Sequence, residues 1–261
     1  MILTRTDTGA VAHLEMTSPE RLNALGDAML AALAAALHSI SDDRNIRAVI
    51  LSGTGKAFCA GHDLKEMQAG RAAPDNGAAY FHALFTRCTD LMLAIQALPQ
   101  PVIAQVHGIA TAAGCQLVAT CDLAVAAAGT RFGVNGVNIG LFCSTPMVAL
   151  TRNIGAKAAF EMLVTGRFIE TDEALRLGLI NRAVPPDALA ADTMALAQQI
   201  AGKLGSAVRV GKRAFYEQAA LPVRDAYAHA GAVMVGNMLQ ADTAEGIAAF
   251  LEKRPPGWVQ D

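Results

Sequence analysis

The hydrophobic pattern of the first 185 residues alternates between short apolar runs and longer segments with apolar residues at helical spacing. Short runs bounded by turn residues predict buried strands, and apolar positions three and four apart predict amphipathic helices. This alternation indicates an α/β fold in which helices connect the strands. The predicted strands are residues 2–6, 10–16, 46–51, 102–106, 123–125 and 179–184, and the predicted helices are residues 27–41, 81–95, 115–120, 156–164 and 171–177.

After Pro186 the pattern becomes wholly helical. No internal repeat and no low-complexity linker separates this part from the first. We therefore expect a β-rich core over residues 1–185 and a helical C-terminal region over residues 186–261. The helices predicted in the second region are residues 188–202, 206–219, 223–239 and 243–252.

For some segments the structure is predicted from glycine, proline and capping residues rather than from hydrophobic periodicity. Residues 70–77, GRAAPDNG, predict a mobile surface loop. Residues 130–145 are rich in glycine and predict irregular structure, after which Pro146 is expected in the first turn of a helix. Thr171 is the predicted N-cap of the helix that follows it.

Composition narrows the class of protein. Hydrophobic residues make up 53% of the 261 residues, charged residues 17%, and the net charge is −2, so neither nucleic acid nor an anionic membrane is an expected partner. The start of the chain lacks the pattern of a signal peptide, and no run is long enough for a membrane helix. The five cysteines are odd in number and form no CxxC motif, which predicts no disulfide framework, no metal site and a reducing cytoplasm, with an organelle matrix not excluded.

Two segments place a turn of small residues between an apolar strand and a helix. The first is KAFCAGHDLKEM at residues 56–67, and the second is HGIATAAGCQ at residues 107–116. Small residues allow another group to approach the backbone, and the first N–H groups of a helix lack intrahelical partners. Two such turns could offer two backbone N–H groups to one oxygen, which is the construction of an oxyanion hole. Alternatively, the small residues only let a helix lie close to a sheet.

These two motifs, in the forms AFCAGHDLKEM and VHGIATAAGCQLVATCD, resemble the crotonase superfamily, the enoyl-CoA hydratase/isomerase family. The resemblance runs nearly end to end, through PERLNAL at 19–25, FEMLVTG at 160–166 and FLEKR at 250–254. GHDLKEM and GLFCSTP resemble the branch of enoyl-CoA hydratase domain-containing proteins. The resemblance implies a crotonase-like spiral of ββα units with a C-terminal helical trimerisation region. It also implies a homotrimer or a dimer of trimers in fatty acid metabolism.

The resemblance further implies an acyl-CoA as substrate or ligand, with no separate cofactor. By the motif match, the backbone N–H groups of His62 and Ala113 would bind the thioester carbonyl and stabilise an enolate more than the ground state. Lys253 resembles a residue that reaches a CoA phosphate, although a solvated charge at a helix end is an equal alternative. The implied substrate-binding residues are Leu22, Ala60, His62, Asp63, Leu64, Lys65, Ala113, Gly114 and Lys253.

Two positions depart from the family pattern. Hydratases of this family use two glutamates to add water across the double bond, and here the matching positions are Gln116 and Gly136. A glutamine does not exchange protons near neutral pH, and glycine has no side chain. Because each acid–base group typically contributes about 10²–10⁴-fold, we expect weak or absent hydration, and isomerase activity is equally doubtful.

Other residues could replace the missing carboxylates. The imidazole of His62 could act as a base near neutral pH, or it could simply be packed or exposed to solvent. Asn138, Asn135 and Gln116 could orient a water molecule without ionising. Three functions stay open: an enzyme that acts on an acyl-CoA through an enolate, a non-catalytic acyl-CoA-binding or regulatory protein, and a residual hydratase.

Overall fold

The computed structural model describes residues 1–258, whose strands form two sheets. The strands are β1 Leu3–Thr8, β2 Val11–Met16, β3 Ala48–Gly53, β4 Val102–Val106, β5 Ile109–Thr111, β6 Leu123–Ala127, β7 Arg131–Gly133, β8 Phe168–Glu170 and β9 Arg182–Val184. The larger sheet has the order β1-β2-β3-β4-β6-β9 and the smaller the order β5-β7-β8. In the larger sheet β1 and β2 form an antiparallel hairpin, and the later neighbours are parallel.

Helices connect these strands and then form the C-terminal part of the chain. Short 3-10 helices lie at Pro19–Arg21 and Asn135–Ile139. The α-helices are α1 Asp27–Ser41, α2 Leu64–Gly70, α3 Ala78–Ala97, α4 Ala113–Thr120, α5 Ser144–Leu150, α6 Ala156–Thr165, α7 Thr171–Leu177, α8 Leu189–Ala201, α9 Gly205–Ala219, α10 Val223–Met238 and α11 Ala241–Leu251.

The strand β3 shows why the apolar runs in the sequence are continuous rather than alternating. Val49 and Leu51 lie in the main core with the buried residues of α1, α3 and α4. Ala48 and Ile50 lie in a second core with Leu196 and its neighbours on α8. A parallel strand covered on both faces is apolar at every position, because neither face meets water.

The helical C-terminal region contains two kinds of helix. α8 packs on the larger sheet and contributes to its second core. By contrast α10 has no buried residue, and large apolar side chains of the last two helices are exposed, including Tyr227 at 78%, Leu239 at 82% and Phe250 at 82%. An apolar surface of this extent is typical of an interface. The predicted boundary after residue 185 and the predicted trimer stay predictions.

The structure differs from the sequence predictions mainly between residues 109 and 184. The segment predicted as irregular contains β7 and a 3-10 helix, and the three strands of the smaller sheet are too short to show a periodicity. The predicted cap role of Thr171 is wrong. Glu170 occupies the N-cap position, and the Thr171 hydroxyl donates to the carbonyls of Ala127 at 3.1 Å and Thr130 at 3.0 Å.

Candidate active site

The two turns of small residues lie side by side. Cys59 pairs with Ala110 of β5 as a parallel bridge. Its N–H donates to the carbonyl of Ile109 at 3.2 Å, and its carbonyl accepts the N–H of Thr111 at 3.1 Å. The backbone preceding α2 is thereby fixed to the backbone preceding α4, as the sequence predicted for two converging turns.

Two glycines allow this close approach. A Cβ placed on Gly114 would lie 2.1 Å from the carbonyl oxygen of Cys59, which is shorter than any real contact. A Cβ placed on Gly61, where φ is +88°, would lie 3.1 Å from the amide nitrogen of Ala113. The residue before His62 therefore lies directly beside Ala113.

The amide N–H groups of His62 and Ala113 have no hydrogen-bond partner within the described part of the chain. Ala113 is the first residue of α4, so its N–H is one of the unsatisfied donors of a helix start. Ala112 before it adopts φ +50° and ψ −121°, a strained conformation for a residue with a side chain, and its own N–H donates to Gly133 at 2.9 Å. Strain of this kind, at about 1–3 kcal/mol, is concentrated at functional sites.

The loop before α1 supports the first turn from the other side. The N–H of Ala60 donates to the carbonyl of Leu22 at 3.0 Å, and the N–H of Leu25 donates to the carbonyl of Gly61 at 2.8 Å. Leu22 has φ +53° and its side chain is 42% exposed. The two residues before His62 are thus bound to the backbone of this loop, while the N–H of His62 itself has no partner within the described residues.

The imidazole of His62 is held in one orientation. Its Nδ1 lies 3.1 Å from the carbonyl oxygen of Leu25, and its ring meets Phe85 of α3 edge-on with centroids 5.6 Å apart. Because a carbonyl oxygen only accepts hydrogen bonds, Nδ1 carries the proton. Nε2 of the neutral ring therefore carries the free lone pair. Nε2 is buried without a hydrogen-bond partner among the described residues, and burial lowers the pKa of His62 despite the opposing bond to Leu25.

Asp63 and its neighbours form the start of α2. The Asp63 carboxylate caps this helix by accepting the N–H groups of Lys65 at 2.9 Å and Glu66 at 3.2 Å. Its second oxygen lies 2.8 Å from Arg21, which also contacts Glu66 at 3.1 Å. Leu64 and Lys65, by contrast, are exposed on the outer surface of the same turn.

Gln116 lies one helical turn after Ala113, on α4. The residue is buried, and its side-chain oxygen has no partner among the described residues. Its backbone N–H donates to the carbonyl of Ala112 at 3.0 Å, so the strained residue also begins the helix. Gln116 therefore places a polar side chain of the size of glutamate near the unpaired amide of Ala113. This side chain has no ionisable group.

Gly136 is buried and its loop leaves no space for a side chain. A Cβ placed there would lie 2.3 Å from the carbonyl oxygen of Leu141 and 2.9 Å from the sulfur of Cys143. The Gly136 N–H points to that sulfur at 3.3 Å, and its carbonyl accepts the N–H of Leu141 at 3.0 Å. Burial raises the pKa of the Cys143 thiol, so this thiol stays protonated near neutral pH.

Of the other predicted residues, Asn135 lies beside the second turn, while Asn138 and Lys253 make no described contact with either turn. Asn138 is exposed, and its carboxamide lies against Gly166 at the end of α6. Asn135 accepts the hydroxyl of Thr111 at 2.5 Å. Lys253 is exposed after α11, with φ +55°, and no described contact brings it to the turn of His62.

The contacts that hold His62 and Arg21 were not predicted from the sequence. The carbonyl of Leu25 and the ring of Phe85 come from different elements, and no spacing in the sequence relates them to His62. The pairing of Arg21 with Asp63 and Glu66 is equally non-local. The charged residues of both signs within residues 20–27 and 63–66 were the one available signal of ion pairs here. This signal does not specify which cation pairs with which carboxylate.

Within residues 1–258, no group of three or more His, Cys, Asp or Glu side chains has the arrangement of a metal site. No described helix combines the length and the apolar composition needed to cross a lipid bilayer. The cysteines of the described chain are all free and buried.

The sequence matches one known protein family over nearly its whole length. A family model described as enoyl-CoA hydratase/isomerase matches residues 6–261. Enoyl-CoA hydratase domain-containing protein 3, mitochondrial, of Mus musculus is 43% identical over 255 residues, which cover 98% of this chain and 83% of the relative. A putative enoyl-CoA hydratase of Thermus thermophilus is 36% identical over 256 residues, which cover 97% of this chain and 99% of the relative.

Solved structures agree with these matches. An enoyl-CoA hydratase from Mycobacterium smegmatis superposes with a TM-score of 0.95 at 55% identity, covering 99% of both chains. Human enoyl-CoA hydratase domain-containing protein 3 superposes with a TM-score of 0.94 at 40% identity, covering 99% of this chain and 100% of that one. The family, the branch and the fold predicted from the motifs are confirmed.

Proposed function

The chain belongs to the enoyl-CoA hydratase/isomerase family, and we propose that it binds a CoA thioester with the carbonyl oxygen between the amide N–H groups of His62 and Ala113. The observation that carries the proposal is that both donors are unpaired within the described residues, although backbone hydrogen bonds join the two turns to each other and to the loop before α1. Gly61 and Gly114, at which a side chain would push the two turns apart, support it.

The chemistry that such a site favours is formation of an enolate. Removal of a proton from the α-carbon shifts an electron pair onto the thioester oxygen, and the two N–H groups stabilise the charge that develops there. A single donor of this kind is worth about 3 kcal/mol in the transition state. The start of α4 adds the positive end of a helix dipole at Ala113.

His62 is the group that we propose for the proton transfer. The hydrogen bond from Nδ1 to Leu25 leaves Nε2 as the basic atom, and the lowered pKa keeps the ring neutral at physiological pH. In the proposed step Nε2 takes the α-proton, the C–H electron pair forms the enolate, and the imidazolium returns a proton to the α-carbon. The lack of any other partner for Nε2 within residues 1–258 supports this role.

We propose that hydration of an enoyl-CoA is weak or absent. The carboxamide of Gln116 does not ionise near neutral pH, and Gly136 is enclosed by the Leu141 carbonyl and the Cys143 sulfur. The names of the relatives include hydratase, but the two positions that carry that reaction in the family hold no carboxylate here.

The rest of the ligand would extend along the outer surface of the first turn. Leu22 and Leu64 offer exposed apolar contacts, and Lys65 offers a cation without a partner among the described residues. The Leu22–Ala60 backbone pair and the capping carboxylate of Asp63 would hold the turn in shape. Gly114 would keep the thioester close to the backbone.

Assembly and location are part of the same proposal. Lys253 would reach such a ligand only from a neighbouring copy, which accords with the exposed apolar side chains of α10 and α11 and with a trimer or a pair of trimers. The predicted cytoplasmic location stays a prediction, since the vertebrate relatives are named mitochondrial proteins. A role in fatty acid metabolism likewise rests on the family alone.

The test is solvent exchange at the α-carbon. The protein is incubated with a saturated acyl-CoA in deuterium oxide, and deuterium at the carbon next to the thioester is followed by mass spectrometry. We expect incorporation that depends on the protein, while crotonyl-CoA in the same preparation is hydrated slowly or not at all. Absence of deuterium from every acyl-CoA tested would refute the hypothesis that the protein is an enzyme acting through an enolate.

A second candidate function is a non-catalytic acyl-CoA-binding or regulatory protein. The observation that favours it is the burial of Nε2 of His62, which limits its access to substrate. This candidate predicts that acyl-CoA binds more tightly than CoA itself, because only acyl-CoA has a thioester carbonyl. It also predicts that no deuterium is incorporated. Binding by calorimetry together with the exchange experiment separates the two.

A further inference from the structure

α9 buries an unexpected residue. Its buried positions are Gly205 and Lys212, while the rest of the helix lies at or near the surface. Lysine is among the residues least often buried in proteins, and burying an unpaired ammonium is very costly. The burial of Lys212 therefore needs a specific set of partners.

Lys212 has a complete set. Its ammonium donates to the carbonyl of Ile95 at 2.9 Å, to the carbonyl of Gln100 at 3.0 Å and to the carboxylate of Asp122 at 2.7 Å. Three acceptors match the three N–H donors of an ammonium group. The Asp122 carboxylate is completed by the hydroxyl of Tyr216, also on α9, at 2.8 Å and by the N–H of Val102 at 2.7 Å.

These partners lie near the C-terminal ends of α3 and α4, two helices that also contribute to the candidate site. Ile95 is in the last turn of α3, and the same helix presents Phe85 to the His62 ring. Asp122 lies two residues after the last residue of α4, whose first residue is Ala113. A cation is also favoured electrostatically where helices end, because the last carbonyls carry partial negative charge.

We infer that Lys212 is a positioning residue for the two-amide site, fixing the C-terminal ends of α3 and α4 to each other and to the C-terminal helices. The inference rests on the proposed function, since the amide of Ala113 matters only if a carbonyl binds there. It assigns α9 a role in the geometry of the site although none of its residues lies beside His62 or Ala113.

The experiment measures polarisation of the bound carbonyl. Crotonyl-CoA carrying ¹³C at the thioester carbonyl is bound to the full-length protein, and its stretching frequency is read by isotope-edited infrared spectroscopy. The wild type should lower this frequency relative to free crotonyl-CoA. In Lys212→Met we expect a smaller downshift and an affinity for crotonyl-CoA about tenfold weaker, since a donor is misplaced. The affinity for CoA, which lacks the carbonyl, should stay unchanged.

The matched control is Arg213→Met on the same helix, where the side chain is 70% exposed and pairs loosely with Glu217 at 3.9 Å. It should bind crotonyl-CoA with the wild-type downshift. A folded Lys212→Met that also retains the full downshift and affinity would overturn the inference. If the single variant does not fold, the double variant Asp122→Asn/Lys212→Met removes both charges together and is read in the same way. A wild type without any downshift would instead refute the proposed carbonyl site itself.

Discussion

The two halves of the candidate site differ in what supplies their chemistry. In the first half, at His62 and Ala113, the functional groups are main-chain N–H donors fixed by hydrogen bonds between the two turns. In the second half, at positions 116 and 136, the chemistry depends on side chains, and both carboxylates are absent. A main-chain donor survives any substitution that preserves the turn, whereas an acid or base is lost with one residue. Under the proposed function, the protein would keep carbonyl binding while its reaction differs from that of the hydratases.

The two halves also differ in how much substitution they tolerate. Gly114 is required because the carbonyl of Cys59 occupies the space of a side chain, and this contact holds the donors together. Gly136 is equally enclosed, by the carbonyl of Leu141, but there the contact excludes the group that the family reaction needs. Under the proposed function, the same kind of contact would hold the carbonyl donors together at Gly114 and exclude a carboxylate at Gly136.

The largest effect is expected from separating the two turns. In Gly114→Val a branched side chain is added whose Cβ would lie 2.1 Å from the carbonyl oxygen of Cys59, so Cys59 must move away from α4. We expect the free energy of unfolding to fall by about 3 kcal/mol or more and acyl-CoA binding to be lost. Chemical denaturation and calorimetry measure the two quantities.

A glycine without neighbours provides the control for that variant. Gly211 lies within α9 and a Cβ there would meet nothing within 4 Å. Gly211→Ala should stabilise the protein by about 0.5–1 kcal/mol, because alanine favours the helix, and leave acyl-CoA binding unchanged. If Gly114→Val were as stable as wild type, the conclusion that the two turns are in close contact at Gly114 would be wrong.

The second prediction restores the missing carboxylates one at a time. Gln116→Glu changes an amide for an acid of the same size, and burial should raise the pKa of the new carboxyl, as suits a proton donor. We expect hydration of crotonyl-CoA to rise by about 10²-fold, measured by loss of the enoyl absorbance.

Adding Gly136→Glu should not raise the rate further. The new side chain would displace the loop around Leu141, at a cost of about 2 kcal/mol in stability. A double variant much faster than Gln116→Glu alone would show that the loop opens readily and that only the side chains were missing.

Much of this site was predictable from sequence, and the reason lies in where the information is stored. The turn at residues 59–61 and the strand–turn–helix order around residues 107–116 are local, so small residues between an apolar run and a helical pattern were enough to predict them. The strand β5 and the start of α4 at Ala113 were not predicted. The departures at Gln116 and Gly136 were visible by position within the motifs. The larger sheet followed from apolar runs for the same reason, since β3 and β4 are buried on both faces.

What could not be predicted depends on contacts between distant segments. The orientation of His62 comes from the carbonyl of Leu25, and the closed loop at Gly136 comes from a carbonyl five residues later that no pattern marks. The role of Lys212 depends on carbonyls at Ile95 and Gln100, which every residue type possesses. Main-chain acceptors carry no sequence signature, so their positions emerge only in the folded chain.

The third prediction concerns the side chain of His62, to which the proposed function assigns the proton transfer. If Nε2 of His62 takes the α-proton, His62→Gln should slow deuterium exchange by about 10²-fold, while acyl-CoA still binds through the backbone N–H. In wild type, exchange should increase with pH until the imidazole is neutral, which the lowered pKa places below about 6.5, and then level off. Equal exchange in both proteins would exclude His62 as the base.

Stability gives an independent readout of the same group. Burial lowers the pKa of folded His62, so the unfolded chain takes up the proton more readily. The contribution of His62 to stability is therefore complete above the unfolded pKa of about 6.5 and is lost as pH falls below it. Between pH 7 and pH 5 the wild type should lose more stability than His62→Gln in denaturant titrations, and His13, whose pKa is also lowered, is present in both proteins.

The smallest effect is expected at the outer edge of the amide half, where two cations differ in their partners. Arg21 is held by Asp63 and Glu66, whereas Lys65 has no partner within the described residues. Lys65→Met should weaken CoA binding by less than about 1 kcal/mol, and the loss should shrink at high salt, because an exposed cation acts on phosphate through screened attraction. Arg21→Met should instead lower stability slightly and leave the Kd for CoA unchanged. A larger loss of affinity in Arg21→Met than in Lys65→Met would mean that the guanidinium leaves its carboxylates to bind the ligand, and that this turn rearranges on binding.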